Sequence, residues 1–182
     1  MIAVVSRLTY QKGFHLVIDE FENLLQFPVQ FVLLGTGDPR FEQGFQNIAA
    51  RYPDKCAINI SFDVQLAQRL YAGADLFLMP SSFEPCGLSQ MIAMRYGTLP
   101  IVHEVGGLKD TVDSFNPVSG QGTGFGFQEF TSYQLMQSIK LALNTYEKAP
   151  DTWSQLQKRA MNQDFRWETS SQRYITLYKS IV

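Results

Sequence analysis

The residues best suited to chemistry stand where apolar runs end. Ile2-Ala3-Val4-Val5 gives way to Ser6-Arg7-Leu8-Thr9-Tyr10-Gln11-Lys12-Gly13, which brings a guanidinium and an ammonium together just before a helix-like pattern. A planar guanidinium can bond two phosphate oxygens at once, and an ammonium adds a compact positive charge with rotatable donors. Arg7 and Lys12 therefore make a candidate diphosphate clamp; the alternative is a pair of solvated surface residues.

A second such junction follows Leu76-Phe77-Leu78-Met79, where Pro80-Ser81-Ser82-Phe83-Glu84-Pro85-Cys86-Gly87-Leu88-Ser89 leads into an apolar helical pattern through Met91, Ile92 and Met94. Gly87 carries no side chain to block a ligand, so the amides of Gly87, Leu88 and Ser89 at a helix start can face a phosphate, aided by the helix dipole. Glu84, in the same turn, either accepts hydrogen bonds from sugar hydroxyls or caps the helix. Phe62, just before the N-cap candidate Asp63, either stacks on an adenine ring or packs in the core. The glycine turn in Val105-Gly106-Gly107-Leu108-Lys109-Asp110-Thr111-Val112 either brings backbone near a ligand or makes a tight strand-to-helix connection. Gly35-Thr36-Gly37-Asp38 lacks the G-x-G-x-x-G spacing, which argues against NAD.

The elements that must position these residues are short. Ile2–Val5, Val29–Leu34, Ala57–Ile60, Leu76–Met79 and Leu99–Val102 read as strands, several apolar throughout, as suits strands covered on both faces. Phe14, Val17, Ile18, Phe21 and Leu24 repeat at helical spacing and mark one buried face. Strand and helix alternate, which predicts an α/β domain with a parallel sheet and ligands beyond the carboxyl ends of its strands. After about residue 130 the pattern is helical only, with one stripe at Leu135, Met136, Ile139, Leu143 and Tyr146 and another at Tyr174, Leu177, Tyr178 and Ile181. Thr131-Ser132-Tyr133-Gln134 reads as a capping box. Pro150 separates this helix from one around Trp153, Leu156 and Ala160, and Ser119–Gly124 reads as a mobile loop before a short strand near Phe125-Gly126-Phe127.

With 182 residues, 45% of them hydrophobic, the chain fits one domain. Its 15 basic and 17 acidic residues are dispersed and give a net charge of -2, which favours neither a nucleic-acid nor a membrane partner. No apolar run approaches the ~20 residues of a membrane span, and Met1–Val5 lacks a signal peptide's charged region, so a cytoplasmic location is expected. Cys56 and Cys86, with only His15 and His103 as further soft ligands, show neither zinc nor disulfide spacing; both are expected to be buried free thiols.

In order along the chain, Ser6–Gly13, Phe83–Gln90, Tyr96-Gly97-Thr98-Leu99-Pro100 and Gly106–Val112 resemble bacterial glycogen synthases and plant starch synthases. Gly73-Ala74-Asp75, Gly122-Thr123-Gly124-Phe125 and Phe165-Arg166-Trp167-Glu168 extend the resemblance over essentially the whole sequence. It implies that residues 1–182, with helices over about 131–182, are the C-terminal, Rossmann-like, three-layer α/β/α nucleotide-sugar-binding domain of a two-domain GT-B glycosyltransferase. The implied reaction is transfer of glucose, with retention, from ADP-glucose to the non-reducing end of an α-1,4-glucan, without a catalytic metal or other cofactor. By the same resemblance Arg7 and Lys12 bind the diphosphate and stabilise charge as ADP departs, and the amides after Cys86, at Gly87, Leu88 and Ser89, hold its distal phosphate. Glu84 contacts the donor glucose, and Phe62 takes the position of an adenine-stacking ring that is often tyrosine. Ile92 stands where related transferases often carry a ribose-binding glutamate.

The family's N-terminal acceptor domain, with its lysine- and glycine-containing loop and its catalytic histidine, has no counterpart in these residues. The chain is therefore expected to be one domain of a longer enzyme, inactive alone, with His15 and His103 in ordinary helix and strand-end roles. Two alternatives remain on the sequence: a UDP-sugar-dependent transferase on the same scaffold, and a non-catalytic nucleotide- or glucan-binding module.

Overall fold

The computed structural model describes residues 1–181. Six strands, β1 (Ile2–Val5), β2 (Phe31–Leu34), β3 (Cys56–Asn59), β4 (Leu76–Met79), β5 (Leu99–His103) and β6 (Phe125–Phe127), form one sheet in the order β3-β2-β1-β4-β5-β6. Every pairing is parallel. Nine helices connect and follow them: α1 (Phe14–Asp19), α2 (Phe21–Leu24), α3 (Pro39–Arg51), α4 (Val64–Gly73), α5 (Ser89–Tyr96), α6 (Gly106–Thr111), α7 (Ser132–Lys148), α8 (Pro150–Met161) and α9 (Trp167–Ser180) among the described residues.

Parallel strands buried on both faces need apolar side chains in both directions, and β1 supplies them. Ile2 and Val4 join the large core cluster with Phe14, Phe21, Phe31 and Phe45, while Ala3 turns the other way to meet Leu34, Leu70, Tyr71 and Phe77. Helices α1, α3 and α7 pack together on one side, and α4, α5, α6 and α8 adjoin one another on the other, giving the expected three layers. Chain direction reverses its march across the sheet between β1 and β4, and a crevice at such a switch point is where open α/β sheets take ligands.

Several local expectations need correction. The apolar period over Phe14–Leu24 is divided at Glu20, whose backbone leaves helical geometry at φ -106° and ψ 6°. The capping box is half-formed: Thr131 Oγ1 accepts from the Gln134 amide at 3.2 Å, but the Thr131 amide donates to the Glu129 carbonyl instead of to Gln134. Ser119–Gly124 is a loop before β6, as expected, and it is bonded to its surroundings: Arg159 donates to the carbonyls of Gly120 (2.5 Å) and Gly122 (3.0 Å), and Asn116 pairs with Gln121. Cys56 is buried as expected, and that burial raises its thiol pKa; Cys86 is exposed, because its turn projects from the end of β4. The stripe on α9 forms a helix, yet none of its residues is buried.

Candidate functional site

Leu8 fixes the first loop. Its side chain is fully buried, its amide donates to the Thr36 carbonyl and its carbonyl accepts from the Asp38 amide, so the loops after β1 and β2 are bonded together. This accounts for Gly35-Thr36-Gly37, which packs against the Arg7 loop. A 3-10 turn over Tyr10–Lys12 then ends at Gly13, with φ 74°. A β-carbon at Gly13 would lie 1.9 Å from the Pro80 carbonyl oxygen, so only glycine lets this turn lie against the end of β4.

The two loops meet through polar contacts. Lys12 Nζ donates to Glu84 Oε2 at 2.5 Å, with the two side chains only 15% and 11% exposed. Ser81 Oγ donates to the same carboxylate oxygen at 3.2 Å. Gln11 and Ser82 add bonds between the loops: Gln11 Nε2 donates to the Phe83 carbonyl, and the Ser82 amide and hydroxyl donate to the Gln11 carbonyl. His103, buried at the end of β5, holds the start of the second loop, with Nδ1 2.8 Å from the Ser81 carbonyl oxygen. His15 lies on α1, stacked on Tyr10 at 4.2 Å. His15 and His103 thus stand on a helix and at a strand end, as expected.

Arg7 and Lys12, with Ser81 and Ser89, line a crevice of about 170 Å³ at the carboxyl ends of β1 and β4. Arg7 is exposed and engages no acidic partner among the described residues, leaving its guanidinium available. Beside it, the amides of Gly87, Leu88 and Ser89 donate to no acceptor among the described residues, at the start of α5, where unpaired amides and the helix dipole favour an anion. Tyr71 Oη donates to Ser89 Oγ at 3.0 Å and joins α4 to this helix start; burial, opposed by that bond, holds the Tyr71 phenol above its ordinary range. Phe62 lies after β3, two strands from β1, and is 90% exposed on a loop whose N-cap, Asp63, accepts from the Leu66 amide. Its ring is thus free for stacking rather than packed in the core, the second of the two alternatives that the sequence left open.

Arg7 and Lys12 therefore line one crevice with Ser89, Glu84 is joined to it through Lys12 and the turn after Cys86 leads into Ser89, while Phe62 lies beyond β3, two strands away. Ser81, Tyr71 and Gln90 belong to the same construction and were not singled out from the sequence, and His103 was expected only in a strand-end role. Ser81 had a signal, standing directly after a strand and three residues before Glu84. Tyr71 and His103, and Gln90 through Thr111, act by contacts between distant segments, which spacing does not reveal.

Residues 1–160 match the family of glycosyl transferases group 1. Over all 182 residues the chain is 60% identical to a glycogen synthase of Ligilactobacillus salivarius and 58% identical to one of Streptococcus pneumoniae, covering 38% of each. The chain thus spans well under half the length of these relatives. Among solved structures, the catalytic domain of starch synthase IV from Arabidopsis thaliana, bound to ADP and acarbose, superposes with a TM-score of 0.86 at 36% identity over 98% of this chain and 38% of that one. Sucrose-phosphate synthase from Thermosynechococcus elongatus shares the fold, with a TM-score of 0.69 at 24% identity over 99% of this chain and 45% of that one. No helix among the described residues is long and apolar enough to cross a membrane. A six-stranded parallel sheet with its polar crevice at the switch point, a family match over residues 1–160 and full-length identity to glycogen synthases converge: the chain belongs to the group 1 glycosyl transferases, as a homologue of part of the glycogen synthases.

Proposed function

We propose that residues 1–182 are the donor-binding domain of an ADP-glucose-dependent glycogen or starch synthase, acting in the cytoplasm. In this reading the crevice between β1 and β4 takes the donor's diphosphate. The observation that carries it is that Arg7, Lys12 and Ser89 line one switch-point crevice, with the unpaired amides of Gly87 and Leu88 in the turn that leads directly into Ser89. Support for adenine as the base comes from the starch synthase IV relative, whose structure is described as bound to ADP and acarbose.

Arg7 and Lys12 neutralise the negative charge that grows on the diphosphate as the bond to glucose breaks, and the amides after Cys86 hold its distal phosphate. Glu84, whose carboxylate is oriented by Lys12 and Ser81, accepts from a hydroxyl of the donor glucose. Phe62 offers its exposed ring to adenine. The α-1,4-glucan acceptor is held by a second domain of a longer enzyme, whose closure excludes water so that the sugar passes to the glucan rather than to solvent. The transfer retains anomeric configuration and calls on no metal.

Calorimetric titration of the chain with ADP, ADP-glucose and UDP-glucose tests this. The adenine nucleotides bind in preference to UDP-glucose, and Arg7→Ala weakens ADP roughly ten- to a hundredfold, as loss of a charge-assisted hydrogen bond implies. Equal binding of UDP-glucose would turn the reading to a uridine donor. A folded chain that binds none of them, and that yields no ADP-glucose-dependent glucan extension when joined to an acceptor domain, would overturn it.

A further inference from the structure

Gln90, the second residue of α5, is completely buried, a place where packing ordinarily favours an apolar side chain. The two hydrogens of its Nε2 are shared among three acceptors, the carbonyls of Cys86 (3.1 Å) and Gly87 (3.1 Å) and Thr111 Oγ1 (3.0 Å). Thr111 Oγ1 passes its own hydrogen to the Gly107 carbonyl at 2.5 Å, and the Gly107 amide donates to the Glu84 carbonyl at 3.0 Å. These bonds join the turn after β4 to the glycine turn after β5. A β-carbon at Gly107 would stand 2.1 Å from the Cys86 carbonyl oxygen, so the second turn is glycine because the first lies on it. Of the two alternatives left by the sequence for Gly106-Gly107, the tight strand-to-helix connection is present, between β5 and α6, and it also backs the candidate phosphate site.

A trans peptide points its C=O and its N–H in opposite directions. The Cys86 carbonyl shares a peptide plane with the Gly87 amide, and the Gly87 carbonyl shares one with the Leu88 amide. Holding both carbonyls toward Gln90 therefore turns both amides away from it, and these are two of the three that lack an acceptor among the described residues. Gln90 Oε1 is itself buried without a partner, a cost that leucine would avoid. Leucine would also release both carbonyls.

We infer that Gln90, braced by Thr111, is a positioning residue that aims the Gly87 and Leu88 amides at the donor's distal phosphate. This rests on the donor-site reading above and adds to it a residue that touches no ligand. The test compares ADP with AMP, which lacks the distal phosphate, on the 182-residue chain and on Gln90→Leu, Thr111→Val and Thr111→Ser. Gln90→Leu weakens ADP roughly tenfold or more and leaves AMP within about twofold; Thr111→Val moves in the same direction by less, and Thr111→Ser, which keeps the hydroxyl, retains ADP affinity. Equal loss of ADP and AMP, or unchanged ADP affinity in a folded Gln90→Leu chain, overturns the inference while the donor site stands. Should Gln90→Leu not fold, the contrast between Thr111→Val and Thr111→Ser decides in the same way. Failure of the unsubstituted chain to bind ADP overturns the donor-site reading and this inference with it.

Discussion

Lys12 has two claimants. Its ammonium is held by the Glu84 carboxylate in a pair largely withdrawn from water, and a diphosphate in the crevice would draw on the same charge. Removing one member of such a pair leaves the other buried without compensation, which costs far more than an exposed ion pair would. Lys12→Ala is accordingly expected to lower unfolding stability by about 3 kcal/mol, read by urea denaturation at constant slope. Adding Glu84→Gln should restore part of that loss, because a neutral amide is cheaper to bury alone; a double variant less stable than Lys12→Ala would refute the pairing argument. The cations themselves were legible in the sequence, since Arg7 and Lys12 follow a strand directly. The pairing of Lys12 with Glu84 was not, because Glu84 lies 72 positions from Lys12 and only the switch-point geometry brings the two together. The exposed Cys86 thiol was likewise misjudged, since the usual preference of cysteine for the interior gives way on a projecting turn.

At the scale of the element, the strands were readable because burial on both faces leaves an unmistakable apolar run, and each of the six expected strands is present within a residue or two. Helix ends were less readable, because they depend on which donor reaches which acceptor. The N-cap of α7 is a single bond from the Gln134 amide to Thr131 Oγ1. Thr131→Ala should therefore cost about 1 kcal/mol, the typical worth of one cap, whereas Gln134→Ala should cost almost nothing, since no reciprocal bond is made; comparable losses from both would restore the full capping box. Asp38 caps α3 under Arg40, whose hydrogen bonds hold the carboxyl at about 2, below its ordinary 3.8. A depressed folded-state value stabilises the fold fully above the ordinary value and loses that contribution as pH falls toward about 2. Asp38→Asn should flatten acid unfolding in that window, and by a small amount that salt diminishes, since the pair is exposed to solvent.

At the scale of the molecule, strand order follows from chain path and pairing, which periodicity alone does not reveal; the sequence indicated a parallel sheet without the reversal between β1 and β4 that creates the crevice. The last helix shows the opposite limit. Its apolar stripe was plain in the sequence, and the helix is present, but Trp167, Tyr174, Leu177 and Tyr178 all remain exposed and no residue of α9 is buried. A helix of 14 residues with no packed face is marginal in water, because propagation barely offsets the cost of nucleation. In the 182-residue chain, α9 amides should therefore exchange hydrogen far faster than those of α8, whose Trp153, Leu156 and Ala160 are in the core. Replacing Tyr174 and Leu177 by serine should shift the chain's unfolding by no more than about 0.5 kcal/mol, as for surface sites generally. When the chain is joined to the remainder of a synthase of the relatives' length, α9 exchange should slow toward that of α8 and the same two substitutions should become costly. Slow exchange of α9 already in the isolated chain would mean that its apolar face finds cover within these residues, and the second domain would then not be needed to explain the stripe.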